Sequence, residues 1–124
     1  MKKENHLKDS YSLRPRFRIT SGATIAFGPG KADLLEALQE TGSITMAAAR
    51  LKMSYMRAWT LIHTMNQCFR QPLVAAVRGG TRGGGGARLT DAGQRALSLY
   101  RKMEDQCLGA VQADWQKFKK LIKA

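Results

Sequence analysis

The chain has 124 residues, with 21 lysines and arginines against nine aspartates and glutamates, giving a formal net charge of +12 and an isoelectric point near 10.3. That length suits one domain, the 44% apolar content excludes a wholly disordered chain, and the charge asks for a polyanion, either nucleic acid or an anionic membrane surface. No run of roughly 18 apolar residues is present for a spanning helix, the N-terminus lacks the apolar stretch of a secretory signal, and Cys68, Cys107, His6 and His63 have no metal-ligand spacing, so no metal or cofactor is expected and the cysteines read as reduced thiols of a cytoplasmic protein.

Residues 1–15 are polar and basic and read as a flexible arm. Arg16 to Phe27 alternates β-branched and aromatic residues with polar ones, and predicts one short strand, interrupted or bent near Ser21-Gly22. Gly28-Pro29-Gly30 is a turn and a helix entry. Lys31 to Glu40 places Leu34, Leu35 and Leu38 on one helical face, and Thr41-Gly42 ends that helix. Ser43 caps a second helix, in which Ile44, Ala47, Ala48 and Leu51 follow the amphipathic spacing and the alanines admit close approach of a neighbour. Lys52-Met53 is the link, and Ser54 is the N-cap of a third helix. There Ala58, Leu61, Ile62, Met65 and Phe69 recur at helical spacing until Gln71-Pro72 stops it. Two helices joined by so short a turn make a helix-turn-helix pattern.

Leu73 to Arg78 reads as a strand, residues 79–86 as a loop holding six of the twelve glycines, and Ala87-Arg88-Leu89 as the returning strand. A basic hairpin directly after a helix-turn-helix is the winged-helix arrangement. Thr90 caps a final helix whose first acidic residue, Asp91, suits the positive end of the helix dipole. The series Ala96, Tyr100, Met103, Cys107, Val111, Trp115, Phe118, Ile122 keeps helical period to the C-terminus, with Gly109 as a possible break. This stripe is longer than one small domain covers, so Tyr100, Met103, Cys107, Val111, Trp115, Phe118 and Ile122 are the expected dimer contacts; packing back onto its own domain is the alternative. The expected organisation is the arm at 1–15, a winged helix-turn-helix over 16–105, and a helical extension over 106–124, a mainly α fold with a small β-hairpin wing.

The placement of charge supports DNA as the polyanion. Between Glu40 and Asp91 there is no acidic residue, while Arg50, Lys52, Arg57, Arg70, Arg78, Arg82 and Arg88 all fall there. Opposite the apolar stripe of the third helix lie Tyr55, Met56, Arg57, Thr60 and Thr64, the side chains that would reach base edges in a major groove. Arg57 has the planar fork for guanine O6 and N7, with a phosphate contact as the equal alternative. Thr45 and Ser54 sit at helix starts, where hydroxyls and free N–H groups meet phosphates, although for Ser54 capping is the simpler role. Arg50 and Lys52 flank the turn and suit phosphates. In the wing, Arg78, Arg82 and Arg88 are the contacts, Arg82 at the tip facing a phosphate or the minor groove. Trp59 reads as core, and His63 is assigned no role. The glycine run lacks the Gly-Lys-Ser/Thr ending of a nucleotide-binding loop.

Taken together, Gly42-Ser43-Ile44, Ala47-Ala48, Met53-Ser54-Tyr55-Met56-Arg57-Ala58-Trp59, Met65-Asn66, Pro72-Leu73-Val74 and Gly83 to Gly93 closely resemble the N-terminal domain of the ModE family of molybdate-responsive transcriptional regulators, over about residues 18 to 105. More distantly the chain is similar to the DNA-binding domain of LysR-type regulators. The resemblance implies a bacterial winged helix that dimerises and binds operator DNA, here read as a repressor; a dimer would ask for double-stranded DNA with a palindromic site. Position 56, often basic in the family, is methionine, and Arg57 keeps a basic residue next to it. The family's C-terminal oxyanion-binding domains do not fit before Ala124, so molybdate is not expected to bind this chain directly. A competing reading is a winged-helix adaptor that holds another protein through the C-terminal stripe, with weak DNA binding. The carboxylates show no paired or triad layout with a histidine or cysteine, which argues against an enzyme. Membrane binding by Trp115, Phe118, Leu121 and Ile122 beside Lys117, Lys119 and Lys120 is a further alternative, and no membrane partner is expected.

Overall fold

Gly22 reverses the chain at the start of the computed structural model, which describes residues 10–77 and 86–123. Its φ is +60°, the left-handed value that glycine supplies at the first position of a two-residue hairpin turn. With Ala23 it joins β1 (Ile19–Ser21) to β2 (Thr24–Phe27), antiparallel with a bulge between Ile19 and Thr20. The single bent strand expected over Arg16–Phe27 is therefore a hairpin. Alternation along a sequence does not say whether a glycine bends a strand or folds it back on itself.

Helix α1 (Pro29–Thr41) starts with proline in its first turn and ends at Gly42, whose N–H donates to Leu38 O at 2.7 Å. Its inward face carries Ala32, Leu34, Leu35, Ala37 and Leu38. Lys31 is buried with them. Its ammonium donates to the carbonyls of Ile25 and Ala26, tying the helix to β2, and burial holds its pKa below the ordinary lysine value against an opposing pull from Cys68.

Ser43 caps α2 (Ile44–Arg50) by accepting from Met46 N at 3.2 Å, and Ser54 caps α3 (Tyr55–Cys68) by accepting from Arg57 N at 3.1 Å. Ala47 and Ala48 are buried between neighbouring helices, and Ala58, Ile62 and Met65 face inward from α3. The end of α3 is locked to the next strand by Asn66. Its Oδ1 accepts from Leu73 N at 2.8 Å and Val74 N at 3.2 Å, and its Nδ2 donates to Val74 O at 3.0 Å. Strand β3 (Val74–Val77) pairs antiparallel with β4 (Gly86–Leu89), Val74 opposite Leu89.

Thr90 then closes two connections at once: its hydroxyl donates to Pro72 O at 2.6 Å and accepts from Gly93 N at 3.0 Å. Gly93, in the first turn of α4 (Asp91–Lys119), lies against Leu73 so closely that a Cβ would stand 2.1 Å from Leu73 O. No residue with a side chain fits there without moving backbone. Helix α4 runs its 29 residues, about 43 Å at 1.5 Å per residue, through Gly109 without a break.

Among the described residues, those from 17 to 100 form one compact unit and 10–16 with 101–123 form another, and α4 contributes to both. The core of the first is centred on Phe27, edge-on to Tyr100 at 5.0 Å and to Phe69 at 6.1 Å between ring centroids. The Tyr100 hydroxyl donates to Phe17 O at 2.8 Å. The architecture is the mainly α winged helix-turn-helix with a long C-terminal helix that the sequence predicts.

Candidate nucleic-acid interface

Helix α3 presents its polar face because of where its apolar residues fall. Ala58, Ile62 and Met65 turn inward, which leaves Tyr55, Met56, Arg57 and Thr60 exposed and Thr64 half-buried. Met56 is 63% exposed. It lines a shallow cleft with Arg57, Thr60 and Leu61, so the first two turns of the helix offer one continuous surface. Ser54 spends its acceptor on Arg57 N, which makes it a cap first and fixes the backbone of the residue that carries the guanidinium. Thr45 is exposed in the first turn of α2.

Lys52 holds the turn between the two helices in a left-handed conformation, φ +58°, which costs an L-residue about 1 kcal/mol. Its side chain is exposed. Arg88 is exposed on β4, in register with Ala75. Among the described residues no carboxylate pairs with Lys52, Arg57 or Arg88. Arg50 differs: it ion-pairs with Glu40 at the end of α1. The acid-free interval of the sequence is thus not wholly free of acid in space. Both partners are largely exposed, so water screens the pair. Arg78 and Arg82 lie outside the described residues, as does the glycine loop between them up to Gly85.

Trp59 corrects the sequence reading most clearly. It is 43% exposed and stacks on His63, ring centroids 5.0 Å apart and planes 8° from parallel. Gln67 Nε2 lies 3.3 Å from His63 Nε2. Aromatic residues usually report a core, but Trp59 and His63 each follow a buried residue, Ala58 and Ile62, by one position. That step turns them about 100° around the helix, away from the core. The helical wheel could have found them; residue type alone pointed the other way.

Along α4 the expected dimer contacts divide. Tyr100 is 2% exposed and belongs to the core around Phe27, so it is not available to a partner. Its place in the apolar period could not distinguish these uses. Met103 and Phe118 are exposed, and Cys107, Val111, Trp115 and Ile122 are half-buried. Cys107, Val111, Trp115 and Phe118 line an apolar cleft of 380 Å³ with Leu13 and Pro15. Trp115 and Phe118 stack at 6.4 Å, and Lys119 Nζ lies 5.8 Å from the Trp115 ring centre. Among the described residues no cluster of three His, Cys, Asp or Glu could hold a metal ion, and no helix is long and apolar enough to cross a membrane.

The model of the bacterial regulatory helix-turn-helix protein, lysR family, matches residues 31–94, from α1 through both helices and the hairpin into α4. The chain is 42% identical over 89 residues to the molybdenum transport protein ModE of Azotobacter vinelandii, covering 72% of this chain and 33% of that protein. It is 43% identical over 77 residues to the molybdenum-pterin-binding protein MopA of Rhodobacter capsulatus, 62% of this chain and 29% of that one. Against the DNA-binding transcriptional dual regulator ModE of Escherichia coli K12 it is 43% identical over 72 residues, 58% of this chain and 27% of that one. The chain thus spans about a third of the length of the curated relatives it matches. With helix, turn, helix and hairpin in the order the matched family requires, and the match extending over more than half of its residues, the chain belongs to the bacterial regulatory helix-turn-helix proteins of the lysR family.

Proposed function

We propose that this chain is a sequence-specific, DNA-binding transcriptional regulator of the ModE type, linked to molybdate metabolism. It works by binding and not by catalysis, in the cytoplasm where bacterial DNA lies. The observation that carries the reading is the exposed face of α3, with Arg57 capped in place, free of carboxylates and inside an interval of basic residues. Tyr55, Met56, Arg57, Thr60 and Thr64 enter the major groove; Thr45, Arg50, Lys52 and Ser54 meet the flanking phosphates; Arg88, with Arg78 and Arg82, follows the backbone from the wing. Arg50 exchanges Glu40 for a phosphate on binding. The link to molybdate rests on the relatives, whose names concern molybdenum transport and molybdenum-pterin binding.

The same reading makes the protein a homodimer on a palindromic operator. Exposed apolar side chains at the end of α4 and just after it, Phe118 at 60% and Leu121 at 81%, favour a partner helix there. Two tests separate the parts of the proposal. Genome-wide mapping of the bound full chain is expected to return a molybdenum-transport promoter, and a map without one detaches the protein from that regulon. Purified Arg57→Ala/Arg82→Ala protein is expected to lose at least tenfold in affinity for a bound fragment. Unchanged binding would overturn the interface and favour an adaptor that uses α4 to hold another protein.

A further inference from the structure

The Trp59–His63 pair is unexplained by packing. Both side chains are exposed, yet their rings are stacked nearly parallel, and Gln67 holds one imidazole nitrogen from the next turn. Three consecutive turns of α3 therefore immobilise a ring that contributes nothing to the core. The pair also borders a groove of 190 Å³ that runs between α3 and the hairpin, floored by Ile44, Ile62, Ala76 and Ala87. It faces the side of the helix where the wing lies, one position round from Met56 and Thr60.

With Gln67 Nε2 as the donor of this contact, His63 Nε2 accepts and the ring proton stands on Nδ1. Among the described residues Nδ1 has no hydrogen-bond partner. The indole face fixes the plane of the imidazole, and in that tautomer the outward group is a single, oriented N–H donor. His63 stands eight residues after Tyr55, about 12 Å along the helix, which corresponds to three or four base-pair steps at 3.4 Å each.

We propose that His63 is a specificity-determining residue of the DNA interface: its Nδ1–H donates to a purine acceptor, N7 or guanine O6, in the major groove, with Trp59 as the positioning residue that holds the ring. The inference deepens the DNA-binding reading and rests on it. It assigns to α3 a contact three to four base pairs away from the one made by its first turn, so the helix reads bases over most of its length and not only from its N-terminal end.

Selection of duplexes from a randomised library by the purified full chain tests this, with His63→Phe, His63→Ala and Trp59→Ala run in parallel. The wild type is expected to select a consensus. His63→Phe keeps a stacked ring and lacks the donor, so its purine preference at one position falls about tenfold while the other positions hold. Trp59→Ala blurs the same position, with an unchanged thermal midpoint because the indole is not core. Two results overturn the proposal while leaving DNA binding intact: an identical consensus from all four proteins, or a uniform loss of affinity with preferences unchanged, which would put His63 on a phosphate. A wild type that selects no consensus overturns the DNA-binding reading itself and this inference with it.

Discussion

Residues 17–100 and the stretch from Arg101 to the end of α4 solve the same problem in opposite ways. The first closes most of its apolar surface on itself: Phe27, Leu34, Leu35, Leu38, Met65, Leu73 and Tyr100 are all essentially inaccessible, and the polar face of α3 stands exposed above them. The second is a single helix with the segment around Leu13 and Pro15 beside it. One helix and an irregular segment cannot enclose a core, and Met103, Phe118 and Leu121 remain exposed. A complete core leaves the surface above it to polar side chains, whereas an incomplete one leaves apolar side chains in water.

The largest expected effect attacks the complete half. Gly93→Ala forces a Cβ to 2.1 Å from Leu73 O, so the start of α4 must move away from Leu73. It is expected to cost about 3 kcal/mol or more, read as a lowered denaturation midpoint. A Gly93→Ala protein as stable as wild type would show that the junction is loose. Trp115→Ser/Phe118→Ser attacks the open half. In the proposed dimer, truncating these two aromatics is expected to weaken association by about 2 kcal/mol, roughly thirtyfold, so that sedimentation shifts from dimer to monomer. The thermal midpoint of residues 17–100 should hardly move. If that midpoint falls with the oligomer, the two regions are not independent and the contrast fails.

Lys52→Gly sharpens the contrast inside the first region. Glycine relieves the left-handed backbone at +58°, raising stability by up to about 1 kcal/mol, while removing a phosphate contact should reduce the salt dependence of DNA binding by about one unit of slope. Stability and binding then move in opposite directions, as strain kept for function requires. The smallest effect concerns Lys31. Burial places its pKa below 10.5, so on approaching that pH the unfolded chain binds more protons than the folded one and the penalty for burying the ammonium disappears. Wild type should therefore gain stability relative to Lys31→Met as pH rises toward 10.5, as a series of denaturant midpoints would show.

Much of this was legible in the sequence, for physical reasons that also explain the failures. The caps Ser43 and Ser54, the stop at Gly42 and the inward stripe of α3 are local, each set by a few neighbouring residues and the helical period. The first hairpin is not legible because one glycine angle decides it. Trp59 reads as core by residue type, although its position one step past Ala58 turns it outward. Tyr100 fits the stripe of α4 by period, but tertiary contacts with Phe17 and Phe27 claim it. The lock made by Asn66 and the close approach at Gly93 join segments that sequence spacing does not relate. In the interface, the basic residues were visible as a charge pattern, whereas the Glu40 partner of Arg50 comes from another helix.

On the reading proposed here, residues 17–100 bind duplex DNA through the basic helix-turn-helix and wing. The most direct test is a titration of the full chain against a selected duplex over a range of salt concentrations. Neutralisation of about six phosphates predicts that log affinity falls against log salt with a slope of about −5, and that Arg57→Ala makes the slope shallower or removes a base preference. Affinity that is independent of salt and untouched by Arg57→Ala would contradict it.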